Sequence, residues 1–424
     1  MIIRRKDPMG LCLGLLGAGI VTSLAGLSAV ISHTTTRPWF IASVLFVYVA
    51  GPVLLGRHGW RPETNGIADR FSLLGSAIGG ITAAIFLLRA PVYWDARSIW
   101  FFHASWFADP STIYVEFAQG ISYSHPGYPP LAPSFGAFTW LLFNPSNDWI
   151  AQTATGVLTL AATGAVAILV ARNATTGFGR VAVAALTTVL LLGITRGRGL
   201  DGYVDGLAAL LVVGLVLMAF QPDDSPLIAV FALAAALVKV EALLFLVILI
   251  LPLYVLRRRP LAPLIPGIAA GMAWTVGMRA SGSALGSWHL GNVFPWSPDF
   301  VDRAQTIVAG LVSEPMIGLT FVLWLGAILI VFAAKASAKV KRELFAMGTV
   351  AGALLAILVA VYLATPFDLD WHLSTSADRL LIHPSMVLTV GALVALTSLL
   401  AAKSLSRRSR KGDGRQLSHV AGDG

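Results

Sequence analysis

The stretch YWDARSIWFFHASWF, residues 93–107, places a carboxylate, a guanidinium and an imidazole among seven aromatic rings, directly after a long apolar run. Asp95, next to Trp94, has the partly shielded position from which a carboxylate acts as a general base. From the stretch alone an interfacial anchor, paired with Arg97 or Arg89 in an aromatic belt, is the plainer reading. Arg97 and His103 suit anchoring or contact with an acceptor. In SHPGYPPL, 124–131, three prolines forbid a regular helix before Pro129 and leave His125 and Tyr128 on a bent, rigid segment. Proline in a first turn is also an ordinary helix opening. RGRGLDGYVDG, 196–206, sets Asp201 and Asp205 among glycines that permit close approach of a ligand. The two carboxylates could hold an acceptor hydroxyl or a metal, or Asp201 could simply cap the next helix.

Two further clusters complete the set. LVKVEALL, 237–244, inserts Lys239 and Glu241 into an otherwise apolar stretch, where ionisable groups are functional by default. A mutual ion pair is the plainer reading, but residues two apart do not face each other on a helix, which favours a turn there. TPFDLDWHLSTSADRLLIHP, 365–384, carries Arg379 at the opening of the last apolar run and His372 beside Trp371. A guanidinium there suits bidentate contact with a phosphate, or snorkels to the interface.

The elements that must position these groups are overwhelmingly apolar. The 424 residues are 56% hydrophobic and 12% charged, with a mean hydropathy of +0.77, whereas soluble domains are about 25% charged. Runs long enough to cross roughly 30 Å of hydrocarbon predict spans at 9–31, 40–55, 71–88, 149–171, 181–195, 203–220, 261–278, 315–334, 344–364 and 384–402. The fold class is therefore all-α, a polytopic transmembrane bundle of about 11–13 spans with interfacial helices in a large first outer loop, 90–148. Met1–Ile31 has a basic start but no small-residue cleavage site, and reads as a retained first helix. The single Cys12 excludes an intrachain disulfide framework. Neither a P-loop, a GxSxG nor a zinc-type His/Glu helix occurs, so ATPase, serine-hydrolase and metalloprotease functions lack support. The net charge of +9 gathers at helix ends and in the tail, so no nucleic-acid partner is expected.

Two stretches leave the topology open. Residues 129–143 either lie along the interface or cross, and 226–256 is either one long helix or a hairpin turning at Lys239. If 129–143 does not cross and 226–256 is a hairpin, Lys and Arg number 21 on the side of both termini and 9 on the other. That satisfies the positive-inside rule and places the termini in the cytoplasm. The opposite pairing gives nearly the same count, but buries Lys239 and Glu241 in mid-membrane. The first pairing is preferred: it puts Asp95, Asp201, Asp205, Glu241, Arg379 and His372 on one outer side. The basic tail 403–424 reads as disordered.

Taken in order, Trp94-Asp95, His125-Pro126-Gly127-Tyr128-Pro129-Pro130-Leu131, Gly202-Tyr203-Val204-Asp205, Lys239-Val240-Glu241 and Trp371-His372-Leu373 with Ser376 and Arg379 resemble the integral-membrane glycosyltransferases of the GT-C superfamily. The likeness is to bacterial members that use polyprenyl-phosphate-linked sugars, and it runs from about residue 71 to 384. It implies a catalytic core over 71–256, with 1–70 as an added pair of helices and 257–402 as C-terminal spans. It further implies that Asp95 deprotonates an acceptor hydroxyl, with inversion at the anomeric carbon. Arg379 and Lys239, with His372 as helper, would hold the donor phosphate; Asp201, Asp205, Glu241, His125, Tyr128 and Trp94 would line the site or contact the acceptor. The partners would be the polyprenyl-phosphate donor, a glycan, lipid or protein acceptor of the cell envelope, and the bilayer of the plasma membrane. No cofactor is implied, and the lack of a second acid beside Asp95 argues against a metal. The rivals are a transporter of a lipid-linked sugar and a non-catalytic subunit that binds the lipid phosphate.

Overall fold

The computed structural model of the chain describes residues 8–43, 45, 66–87, 94–118, 124–143, 147–196, 198–221, 225–282, 300–365 and 368–420. Most of the expected span 40–55, and parts of the loops 90–148 and 279–314, lie outside them. Every regular element among the described residues is helical. The first half contains α1 (Pro8–Ser32), α2 (Gly66–Leu87), α3 (96–108), α4 (Tyr114–Ala118), α5 (Leu131–Leu142), α6 (Asp148–Ala171) and α7 (Gly177–Ile194). Helix α8 (Asp205–Phe220), α9 (Ser225–Val238), α10 (Val240–Leu256) and α11 (Ile265–Ala280) follow. The C-terminal part contains α12 (Phe300–Val312), α13 (Pro315–Ala333), α14 (Ala338–Ala364), α15 (Leu369–Leu380) and α16 (Ile382–Val420).

Six of these stretches, α1, α6, α7, α13, α14 and 369–404, are long and apolar enough to cross a membrane. Their outward surfaces are apolar too: Leu319, Phe321, Val322 and Leu329 of α13 are all exposed. A soluble bundle cannot present such a surface, so the chain is a multi-pass membrane protein whose outer faces meet lipid. Helix α8 is the opposite case. It is apolar all round from Leu207 to Ala219 and buried along that whole length, as the central helix of the bundle must be.

Both ambiguous stretches are settled by their neighbours. Lys239 breaks the helix with extended backbone (φ −159°, ψ 147°) and sits at the start of α8, beside Asp205. At the far end of α10 the chain is back beside the end of α8. The Tyr254 hydroxyl donates to the Leu215 carbonyl (3.2 Å) and Arg259 Nε to that of Ala219 (3.1 Å). Residues 225–256 therefore form a hairpin. Helix α5, at 12 residues, is about 18 Å long and cannot span. Its Leu131 meets Leu158, deep on α6, at Gly19, while Trp140 near its other end donates to the Asn147 carbonyl (2.8 Å) at the mouth of α6. It starts inside the bundle and rises to the surface as a re-entrant helix.

The last helix continues to Val420 through the basic stretch for which composition predicts disorder. Once a span has nucleated a helix, each added residue needs only one further backbone bond, and the arginines and lysines there are good helix formers.

Candidate active site

The hairpin and the re-entrant α5 bring four loops to one end of the bundle. Asp95 stands at the start of α3, which is wound as a π-helix over Ala96–Phe101 and buries Ala96, Ile99, Trp100 and Phe101. The 196–204 loop presses on that face. Gly202 has φ +97°, and a Cβ there would meet the Phe101 ring at 2.6 Å, so only glycine fits. Asp201 accepts from the Tyr203 backbone N–H (3.1 Å), and the Leu200 carbonyl accepts from Gln152 Nε2 (2.6 Å). Gly199 packs on Thr159. The loop thus lies roughly 6–17 Å down α6 from its start at 1.5 Å per residue, sunk below the ends of the long helices.

Helix α15 closes the site from the other side. Asp368 caps it by accepting from the Trp371 N–H (2.9 Å), and Leu373, Ala377 and Leu380 bury its inner face. Its last turn sends two neighbouring charges in different directions. Asp378 pairs with Arg198 (2.6 Å), and Arg379 donates to the Asp95 carboxylate. Both guanidinium groups lie over the Tyr203 ring, at 5.4 and 5.8 Å from its centre. Beneath this tier Lys239 pairs with Asp205 (2.8 Å) and Glu241 (3.3 Å).

Aromatic rings fix the third wall. Tyr128 is stacked on Trp100 (centres 5.4 Å apart) and on His125 (5.1 Å), with the Lys239 ammonium 5.9 Å from its ring centre. The prolines of 126–130 hold this corner, and it is pinned from outside: Tyr114 donates to the Pro126 carbonyl (2.7 Å), and Trp274 to that of Gly127 (2.8 Å).

Of the residues singled out from the sequence, Asp95, Arg379, Lys239, Asp205, Glu241 and Tyr128 therefore converge. Asp201 shapes the loop, and burial raises its carboxyl to about 6. His125 backs Tyr128. His372 packs edge-on against Tyr362 (5.0 Å), and Trp94 is exposed at the rim. Arg97 pairs with Asp148 (3.2 Å) at the start of α6, an anchoring role. His103 is wholly buried against Tyr114 and Trp106, and burial lowers it to about 3. Three contributors were given no role in the sequence reading, although Tyr203 stands inside one of its motifs. Tyr203 and the Arg198–Asp378 pair depend on contacts between distant loops. His383, buried beside Phe245 and within electrostatic reach of Lys239 and Asp205, carried a visible signal as an ionisable group inside a span.

The inner carboxylates Asp95, Asp205 and Glu241 outnumber the cations Arg379 and Lys239 by one, and each charge has an opposite partner. Such pairing offsets the cost of holding ions away from water. Access differs from group to group: the Asp95, Arg379 and Glu241 side chains are 22%, 19% and 27% exposed, those of Asp205 and Lys239 only 2% and 8%. Among the described residues no three His, Cys, Asp or Glu side chains are grouped to hold a metal ion. A cavity of about 170 Å³ opens at the opposite end of the bundle, between Gln221, Lys339, Glu343 and Ser398, away from these charges. Comparison with family models, with curated proteins and with solved structures finds no match to this chain.

Proposed function

We propose that the protein is a membrane glycosyltransferase that moves a sugar from a polyprenyl-phosphate donor to a hydroxyl of a cell-envelope glycan, lipid or protein on the extracytoplasmic side. The observation that carries this reading is the convergence, in a recess at one end of the bundle, of a partly exposed carboxylate, Asp95, with two cations, Arg379 and Lys239. In this mechanism Asp95 accepts the proton of the acceptor hydroxyl while the hydroxyl oxygen bonds to the anomeric carbon. The bond from that carbon to the phosphate oxygen breaks on the opposite face, its electron pair leaves with the phosphate, and the configuration inverts. Arg379 and Lys239 stabilise the charge that develops on the leaving oxygen. Little else is required, because a lipid phosphate is already a good leaving group.

A transporter of the same lipid needs polar groups along a path through the membrane. The central helix α8 has none between Leu207 and Ala219, which favours the transferase. The test uses membranes carrying the protein, a radiolabelled pool of lipid-linked sugars and glycan analysis of the products. Asp95→Asn should lower transfer by about 100-fold or more, the contribution of a general base, while leaving the protein folded in detergent. Transfer at the wild-type rate in that variant sinks the mechanism. Arg379→Ala should instead weaken the apparent affinity for the donor.

A further inference from the structure

The reading above gives Asp95 and Arg379 separate tasks, yet the fold joins them in one ion pair. A carboxylate oxygen that already accepts from a guanidinium is engaged there and is not presented to an acceptor hydroxyl. An arginine that spends a donor on a carboxylate has less to offer a phosphate. We propose that the donor's phosphate and the Asp95 carboxylate compete for the Arg379 guanidinium, so that phosphate binding releases Asp95 as the base and the donor must bind before the acceptor can react. The inference rests on the transferase reading and adds an order of events to it.

Three features of the site support the exchange. First, Asp95 is the carboxylate free to leave. Asp205 and Glu241 are both held by Lys239, whereas Asp95, 22% exposed at the start of α3, is the carboxylate paired with Arg379 itself. Second, Arg379 is fixed where a phosphate would arrive. Buried Leu380 and Ala377 hold its helix turn, Asp378 beside it is tied to Arg198, and the guanidinium rests over Tyr203. Its planar fork matches two phosphate oxygens better than one carboxylate oxygen. Third, Tyr128 lies within electrostatic reach of Arg379, Lys239, Asp205 and Glu241, and its hydroxyl has no hydrogen-bond partner among the described residues. That hydroxyl is a spare donor for the incoming anion. The exchange also has a use: with the base locked until a donor is seated, Asp95 does not activate water or an acceptor in an empty site.

Carbodiimide coupling of glycinamide to accessible carboxyls, read by peptide mass spectrometry, tests this on the intact protein in nanodiscs. Asp109, exposed and bonded within its own turn to Ser111, is the internal reference. A C55 polyprenyl phosphate should raise labelling of Asp95 relative to Asp109 by about tenfold, the population change that one charge-assisted hydrogen bond supports. C55 polyprenol without phosphate should leave it unchanged. Inorganic phosphate tells whether the headgroup suffices: a rise with it places recognition in the anion alone, and a rise with the lipid phosphate only shows that the chain is needed to seat the anion. Arg379→Gln should give the raised labelling with no lipid present. If the lipid phosphate is retained by the washed protein and Asp95 labelling stays the same or falls, the exchange is wrong while phosphate binding stands. If no polyprenyl phosphate is retained, the exchange and the transferase reading fail together.

Discussion

Lys239 holds two carboxylates at once, and of these Asp205 has almost no contact with solvent. Removing the ammonium leaves that carboxylate buried without a cation, the situation in which a broken buried pair costs about 3–5 kcal/mol. Lys239→Met should therefore lower the thermal unfolding temperature in detergent sharply. The double variant Lys239→Met with Asp205→Leu should recover much of the loss, because no uncompensated charge remains. A single variant as stable as the wild type would mean that the pair does not hold the hairpin to α8. Asp201 makes a different prediction, one of sign. Its carboxyl is raised from 3.8 to about 6 by burial, so between those values the folded state binds more protons than the unfolded one. Stability should then fall as pH rises through this window, by at most about 3 kcal/mol at 1.36 kcal/mol per unit. Asp201→Asn should flatten that slope, and unfolding curves collected across the window read it directly.

At the scale of elements, the site depends on how the 196–204 loop is folded onto α3. Gly202 combines a left-handed backbone with contact against Phe101 and Ala96, so Gly202→Ala meets both a conformational and a steric penalty. The expected outcome is a loss of about 2–3 kcal/mol in stability, with transfer activity falling further than stability alone explains, because Asp95 is the residue that leads into the short π-wound segment carrying Phe101. Activity that merely follows the folded fraction would show that the loop does not position Asp95. Much of this arrangement was legible in the sequence, since carboxylates and cations inside apolar runs announce themselves. The turn at Lys239 followed from two charges spaced so that they do not face each other on a helix. What stayed hidden was pairing between loops. Nothing local to Arg198, Asp378 or Tyr203 says that 196–204 and 369–380 meet, and nothing local to Pro129-Pro130 says that α5 begins beside the middle of α6. Those facts come from burial of distant apolar faces, which a single sequence does not encode by spacing.

For the whole molecule, the decisive question is which side of the membrane the site faces. The geometry ties α3, the 196–204 loop, the Lys239 turn and α15 to one end, and the start of α14 to the other, beside Gln221 at the end of α8. By the positive-inside rule, the 21 against 9 division of basic residues is the ground on which we propose that the first end faces outside and the second the cytoplasm. A lipid-linked donor and an envelope acceptor meet only outside, so this orientation is a condition of the proposed reaction. It is open to a direct check, because the single Cys12 is buried and a Cys12→Ser background leaves no thiol. In that background Ser105→Cys on α3 and Ser374→Cys on α15, both exposed, should react with a membrane-impermeant maleimide on intact cells. Ala338→Cys at the start of α14, also exposed, should react only after the cells are opened. The reverse pattern places the charged recess in the cytoplasm, where the acceptor would have to be cytoplasmic. Labelling of Ser105→Cys and Ser374→Cys from opposite sides would break the architecture itself, since the Asp95–Arg379 pair requires their helices to share one end.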